Sequence, residues 1–359
     1  MNDNPPQGTD WDQDITILVP TCKRPRMLRS CLQSIDLQSR KERIKVVMVS
    51  ENSNDEASRS VVEEFQDRLP IQYIQQTRGL TAQEHGIWLS QRVETRYVAL
   101  IADDDMWSRY HLEEAMRCFD KHPSICAFFG QVIVVENESC CPFGKYSSSF
   151  LQMQDPESDG LVDFRTWDPA DAAVNCLVTT PINIWALVAR ADAHLEAMTT
   201  STGDPIFGPY PSNDRLYIWR LSLQGKIGIG RNISLFYRRH PQSEIHTWLR
   251  DRQEEFFATD LAISQEIARQ AGLLGLDAYS AWHEQYKAAI ESGLPAERIE
   301  MWNPKIKAWL LGDPPTAATE SKAAMEPTPI ERLRRVGHLL LPPAIQIAAR
   351  RLKKKLAQA

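Results

Sequence analysis

No stretch of eighteen uninterrupted apolar residues occurs in the 359-residue chain, which excludes an ordinary membrane-spanning helix. The opening, MNDNPPQGTDWDQD, is acidic and polar and lacks an apolar core, so no secretory signal is expected. Cysteine is scarce and unpatterned. The seven cysteines show neither CxxC nor Cys/His spacing, and only Cys140 and Cys141 are close neighbours. Reduced thiols in a cytosolic compartment are the expectation. A basic excess is also missing, since 41 Lys and Arg face 47 Asp and Glu for a net charge of −6. A globally basic nucleic-acid binder is therefore excluded. There is no internal repeat. What remains is 43% apolar and 25% charged residues, too apolar for a disordered chain and sufficient for one large α/β domain or two smaller ones.

The overall charge conceals an asymmetry. Residues 331–359 hold eight Lys or Arg and one Glu, a local balance of +7 that leaves −13 on the rest. An acidic body with a basic arm points to an anionic partner for the arm. Within the arm, Ile330, Leu333, Val336, Leu340 and Leu341 share one helical face. After Pro342-Pro343 the pattern repeats with Ile345, Ala348, Ala349, Leu352 and Leu356 beside Arg350, Arg351, Lys353, Lys354 and Lys355. Basic amphipathic helices of this kind suit an anionic membrane surface, or pack on the acidic body.

The body alternates strand and helix signals every ~25–30 residues, as βαβ units on a parallel sheet require. Strands are expected at Ile15 to Val19, Ile44 to Val49, Ile71 to Ile74, Tyr97 to Ala102, Ala127 to Val135, Asn183 to Ala189 and Ile227 to Tyr237. Helices are expected at Arg26 to Leu37, Ser58 to Phe65, Thr81 to Arg92, Tyr110 to Phe119 and Asn213 to Leu223. Residues 138–175 read as long loops, 255–310 as mainly helical, and Asp313 to Thr328 as a Pro/Ala/Thr-rich linker. The aromatic residues Tyr146, Phe150, Trp167, Trp185 and Tyr210 suit either stacking on sugar faces or an ordinary core.

The strongest chemical feature is Asp103-Asp104-Asp105-Met106-Trp107, directly after the apolar run Tyr97 to Ile101. Three adjacent carboxylates at the end of a buried strand repel one another and are costly to hold without a cation. Oxygen ligands of this type suit Mg²⁺ or Mn²⁺, and ligands of open parallel sheets bind beyond the carboxyl ends of strands. A solvated acidic turn capping the next helix is the plainer alternative. A second polar cluster, Glu51-Asn52-Ser53-Asn54-Asp55, also follows a buried strand and is able to accept from a base N–H and bind ribose hydroxyls, or merely to turn the chain.

The order of these pieces resembles the family 2 glycosyltransferases, with their GT-A nucleotide-diphospho-sugar fold. Ile15 to Thr21 is similar to the family's opening strand and Pro-Thr turn, and Val49 to Asp55 to its V-D-D-G-S-T-D turn. Gly79 to Ile87 resembles the G-x-x-x-A-R-N-x-G helix with one residue of spacing difference. Leu100 to Trp107 is similar to L-D-A-D-D-x-W, Ser212 to Leu221 to E-D-x-x-L-W-x-R-L, and Tyr237-Arg238-Arg239-His240 to the closing Y-R-x-H. The resemblance covers roughly residues 13–245. It implies an α/β GT-A fold, a mostly parallel central sheet flanked by helices, with a C-terminal helical extension. The domains it suggests are a glycosyltransferase domain at 13–250, a helical extension at 251–312, a linker at 313–328 and basic amphipathic helices at 329–359.

By the same resemblance, Glu51 contacts the nucleotide base and Asp103 the ribose. Pro20, Thr21, Ser53, Gln83 and Asn213 complete the substrate-binding set. Asp104, with the trailing acid Asp105 and with His240, is implied as the metal site for Mg²⁺ or Mn²⁺, and Asp214 as the general base. The implied reaction is inverting transfer of a hexose from a nucleoside-diphosphate sugar to a hydroxyl of a glycan, lipid-linked sugar or protein, as in polysaccharide biosynthesis. A cytoplasmic enzyme is expected, peripheral on the membrane's cytoplasmic face where the arm binds lipid, with no nucleic-acid partner. Departures from the pattern are Ser50 and Ala102 in place of aspartates, Gln83-Glu84 in place of Arg-Asn, and Asn213 in place of Glu. They keep open a catalytically inactive nucleotide-sugar-binding scaffold. A sugar nucleotidyltransferase is disfavoured because the loop Pro20 to Arg26 is basic but has no glycine.

Overall fold

The computed structural model describes residues 13–54, 56–77, 79–136, 164–178, 180–199, 214–240, 243–291 and 303–311. The amino-terminal half is a succession of crossovers: β1 (Ile15–Thr21), α1 (Pro25–Asp36), β2 (Ile44–Glu51), α2 (Ala57–Glu63), β3 (Ile71–Gln75), α3 (Ala82–Ser90) and β4 (Tyr97–Leu100). Then come β5 (Met106–Trp107), α4 (His111–Lys121), β6 (Ile125–Glu136), β7 (Phe164–Trp167), α5 (Pro169–Cys176), β8 (Leu187–Arg190), α6 (Ala191–Thr199), α7 (Asp214–Ser222) and β9 (Lys226–Arg239). Four helices follow: α8 (Glu244–Asp251), α9 (Gln253–Leu273), α10 (Ala278–Glu291) and α11 (Pro304–Leu311).

Among the described residues the strands form one sheet in the order β3-β2-β1-β4-β8-β6-β9-β5, with β7 also on β9. The parallel expectation holds from β3 to β4 and between β6 and β9, whereas β8 runs antiparallel to both β4 and β6. Parallel neighbours need a crossover, supplied in the first half by α1, α2 and α3. Chain order reverses between β1 and β4, since β2 and β3 lie on one side of β1 and β4 on the other. Sheets of this type bind ligands at the carboxyl ends of strands flanking such a reversal.

β1 continues through Pro20 and Thr21, two residues beyond the expected end. Its ladder with β4 stops at Leu18, so the missing Pro20 N–H falls where only β2 is a neighbour. The stretch expected to be loops contains β7 and α5. Asp168 caps α5 by accepting from the Ala170 and Asp171 amides, Asp171 returns the bond, and Pro169 fills the first helical position. The strand expected from Asn183 begins only at Leu187, because the Asn183 side chain accepts from the Trp185 amide and starts a 3₁₀ turn. Trp167 is buried core rather than a sugar platform. Tyr146, Phe150 and Tyr210, the linker and the basic arm lie outside the described residues, as do Cys140 and Cys141.

Two apolar layers cover the sheet. On one face α1, α2 and α4 contribute Leu28, Leu32, Val61, Leu112, Met116 and Phe119. On the other, α5 and α7 are joined by Ile263, Ile267, Trp282, Ile306 and Leu310 from the later helices, which therefore share the core of the sheet domain. By internal packing, the described residues up to Leu310 form one compact unit. Among the described residues, no helix is long and apolar enough to cross a membrane.

β6 and β9 approach closely at Gly130. A Cβ there would lie 1.8 Å from Ser234 Oγ and 2.1 Å from Ser234 Cβ. The Cβ contact survives any rotation of the serine, so the strands would have to part. Gly130→Ala is expected to destabilise by about 3 kcal/mol, the upper range for overpacking. Urea denaturation checks this, and Ser234→Gly in the same chain should recover most of the loss.

Two buried histidines make stability depend on pH. His111, tilted against Trp107 with ring centroids 4.5 Å apart, has no hydrogen-bond partner at either ring nitrogen, and burial pushes it down to about 3. His194 is pushed by burial to about 4. An unfolded histidine takes up its proton near pH 6.5, whereas these stay neutral, so each removes stability as pH falls below that point. Asp103, raised to about 6 chiefly by burial and then by Asp104, acts in the opposite sense as pH falls from 6 towards 4. The His111 contribution is isolated by His111→Phe. Between pH 7 and 5 the variant should lose about 2 kcal/mol less than the parent, and identical pH slopes would contradict the assignment.

Candidate active site

Thr21, Asp103, Asp104 and His240 meet beyond the ends of the parallel strands β1 and β4. Thr21, last in β1, donates from Oγ1 to Asp103 Oδ2 at 2.7 Å, across the point where strand order reverses. Arg24 Nη1 bridges two acids, 3.1 Å from Asp103 Oδ1 and 2.8 Å from Asp104 Oδ2. On the same Asp104 oxygen, His240 Nε2 lies at 3.0 Å. Asp103 is 3% exposed and Asp105 fully buried, while the Asp104 side chain keeps 13%. Three consecutive carboxylates are thus held at graded depth, with one cation of the chain itself against two of them.

The loop carrying Arg24 is strained. Lys23 has φ 56, the one non-glycine residue with positive φ among those described, a conformation that persists only where its surroundings impose it. Its amide donates to Glu51 Oε1 at 3.1 Å. Arg24 then precedes α1, which starts with Pro25. This turn aims the guanidinium back over the end of β4.

Glu51, expected at the base, ends β2 with no exposed surface. It accepts from the Lys23 amide, from Ser53 Oγ at 2.6 Å and from Ser58 Oγ at 2.5 Å, so it organises the turn as well as facing it. Pro20 stays half-buried in the ladder opposite Ser50. Ser50, where the family pattern has an acid, binds Gln76 Nε2 at 2.9 Å and His85 Nε2 at 2.7 Å. Asn52 clamps the loop before α3 by pairing with both the amide and the carbonyl of Leu80. Gln83 occupies the first turn of α3. Its neighbour Glu84 closes a capping box with Thr81 rather than facing a phosphate, and the bonds from Thr81 hold its carboxyl below the usual range.

Asp105 Oδ1 accepts from the Arg238 amide of β9 at 2.8 Å, and its Oδ2 is buried without a partner. The trio of Asp104, Asp105 and His240 expected for a metal is therefore a pair in the structure. Among the described residues no cluster of three His, Cys, Asp or Glu side chains is assembled for an ion. The pair still fits a divalent cation. A carboxylate oxygen lies beside an imidazole whose other nitrogen, Nδ1, is buried without a partner. Mg²⁺ commonly takes one or two protein ligands and completes its shell with phosphate oxygens and water, and Mn²⁺ also accepts imidazole.

Asp214 opens α7, where a carboxylate meets the positive end of the helix dipole favourably. Its neighbour Arg215 is 1% exposed and donates to the Cys176 and Leu177 carbonyls, to Ser264 Oγ and to the Asp260 carboxylate. α7 is also tied to α6 and α3, since His194 lies 2.7 Å from both Tyr217 Oη and Ser90 Oγ. Tyr237 of β9 is mostly buried. Burial raises its phenol, and so do the charges of Asp105, Asp104 and Asp214. Asn213 lies outside the described residues. Arg24, His194 and Arg215 went unassigned in the sequence. A buried arginine beside an acid leaves no local signal there, although Arg24 stands in the loop already marked as basic and glycine-free.

An acidic edge at a strand-order reversal, with a carboxylate–imidazole pair beside it, suits the GT-A fold. Residues 16–140 match the family model described as Glycosyl transferase family 2. The crystal structure of S. aureus TarS 1-349 in complex with UDP-GlcNAc is similar in fold, with a TM-score of 0.51 and 16% identity over 71% of this chain and 67% of that one. The complex of the same protein with UDP gives a TM-score of 0.48 and 16% identity over 70% and 65%. No curated protein matches the chain in sequence.

Proposed function

We propose that the enzyme moves a sugar from a nucleoside-diphosphate sugar to an acceptor hydroxyl by a single displacement that inverts the anomeric carbon. The observation that supports this reading is the meeting of Thr21 with Asp103 and of His240 with Asp104 beyond the ends of β1 and β4, with Arg24 bridging the two acids. The TarS complex with UDP-GlcNAc makes a uridine diphosphate sugar the first donor to try.

In this reading Asp103, fixed by Thr21, receives the ribose hydroxyls, and the Glu51 turn faces the base. Asp104 and His240 would hold Mg²⁺ or Mn²⁺. When bound, such a cation offsets the charge that develops on a departing diphosphate. Asp214 accepts the proton of the acceptor hydroxyl as that oxygen attacks. One base opposite the leaving group gives a single displacement with inversion. The acceptor belongs to glycans, lipid-linked sugars or protein hydroxyls.

The test is nucleotide release from a panel of UDP-, TDP- and GDP-sugars with Mn²⁺ or Mg²⁺. Turnover with at least one donor is expected. Failure of every sugar nucleotide to bind at millimolar concentration, with and without metal, would overturn the proposal.

A further inference from the structure

A buried acidic cluster without a bound ion still needs a counter-charge, and here the chain provides one. Arg24 places a single nitrogen, Nη1, against Asp103 Oδ1 and Asp104 Oδ2 together. Bridging two carboxylates through one positive centre is the task usually given to a metal ion. The Asp104 oxygen it uses is also the one that faces His240 Nε2. A divalent cation shared by Asp104 and His240 and the Arg24 guanidinium therefore compete for one position, through the shared oxygen and through mutual repulsion.

The backbone around Arg24 is fixed by its neighbours. Lys23 is locked in the left-handed region by its bond to Glu51, and Pro25 begins α1. The Arg24 side chain keeps 26% of its surface exposed, with a long flexible stem. A planar fork of donors is also well matched to phosphate oxygens, so a diphosphate arriving at this edge offers a second anionic seat.

We infer that Arg24 is a displaceable counter-cation: it neutralises Asp103 and Asp104 while the site is free of donor, and moves to the donor diphosphate when a divalent cation takes Asp104. This rests on the donor reading above. Metal alone then binds weakly because it must expel a guanidinium that has nowhere to go, and the diphosphate removes that obstacle. Arg24 is a positioning residue of the ion site as well as a phosphate contact.

Calorimetric titration of the full chain with MnCl₂ alone, UDP alone and both together tests this on wild type, Arg24→Gln, Arg24→Met and Arg24→Lys. Loss of the charge should tighten Mn²⁺ binding in the absence of nucleotide by about tenfold or more, and weaken metal-free UDP binding. Arg24→Lys, which keeps the charge, should stay close to wild type for Mn²⁺. A site merely loosened by the substitution would lose metal affinity, so a gain cannot come from damage. Equal or weaker Mn²⁺ binding in both neutral variants overturns the assignment. Wild-type protein that takes up UDP while the neutral variants fail to gain Mn²⁺ affinity overturns the Arg24 role alone. Wild-type protein that takes up neither ligand overturns the donor reading itself, and the inference with it.

Discussion

Asp214→Asn should bind sugar nucleotide as wild type does and lose transfer by about 10²–10⁴-fold, the usual contribution of a positioned general base. The substitution preserves the shape and the hydrogen-bonding reach of the side chain at the first position of α7, so helix geometry is retained. It removes the charge that accepts the acceptor proton. The helix-dipole contribution of an acid here is about 0.3–1 kcal/mol, too little to unfold a helix whose residues from Arg215 to Ser222 are all buried. Nucleotide release with and without acceptor separates the outcomes. A variant that keeps wild-type turnover would remove Asp214 from the chemistry and leave it as a helix-terminal acid.

The second large effect concerns the residue beside it. Arg215→Met is expected to cost about 3–5 kcal/mol, the range for removing one partner of a buried ion pair. Asp260 would be left with Asn303 Nδ2 at 3.1 Å as a side-chain donor, the Cys176 carbonyl would lose its bond from Arg215, and the Leu177 carbonyl would keep Ser264 Oγ at 2.6 Å. Because Arg215 connects α5, α7 and α9, loosening it also frees the start of α7, and transfer should fall more than donor affinity. Urea denaturation gives the stability change. Replacing both partners, Arg215→Met with Asp260→Leu, should recover much of it, since paired apolar substitution removes the orphaned charge. No recovery would mean that the carbonyl bonds, rather than the ion pair, dominate.

Much of the donor side was legible in the sequence because it is local. Fully buried parallel strands read as apolar runs, and the acids at their ends stand out at the point where each run stops. β1, β2 and β4 are legible in this way, and with them the acids Glu51 and Asp103, whereas Thr21 is marked only by the family resemblance. Long-range geometry was not legible. Nothing in Asp103-Asp104-Asp105 says that the middle residue meets His240 while the last turns to the Arg238 amide, because that depends on how β5 pairs with β9. The antiparallel entry of β8 was missed for the same reason, and β7 was too short for its alternation to register. Arg24 illustrates a further limit. Its role follows from a positive φ at Lys23, a conformation that lysine does not announce.

The account depends most on the Asp104–His240 edge being the place where a cation and a diphosphate meet. Calorimetric titration of UDP in the presence of Mn²⁺, on wild type and on Asp104→Ala, measures this directly. The predicted result is Mn²⁺-dependent binding that weakens by at least about 10–100-fold in the variant, the loss that even outer-ligand changes bring to metal sites. Equal affinity in the two proteins, or binding indifferent to Mn²⁺, would contradict it.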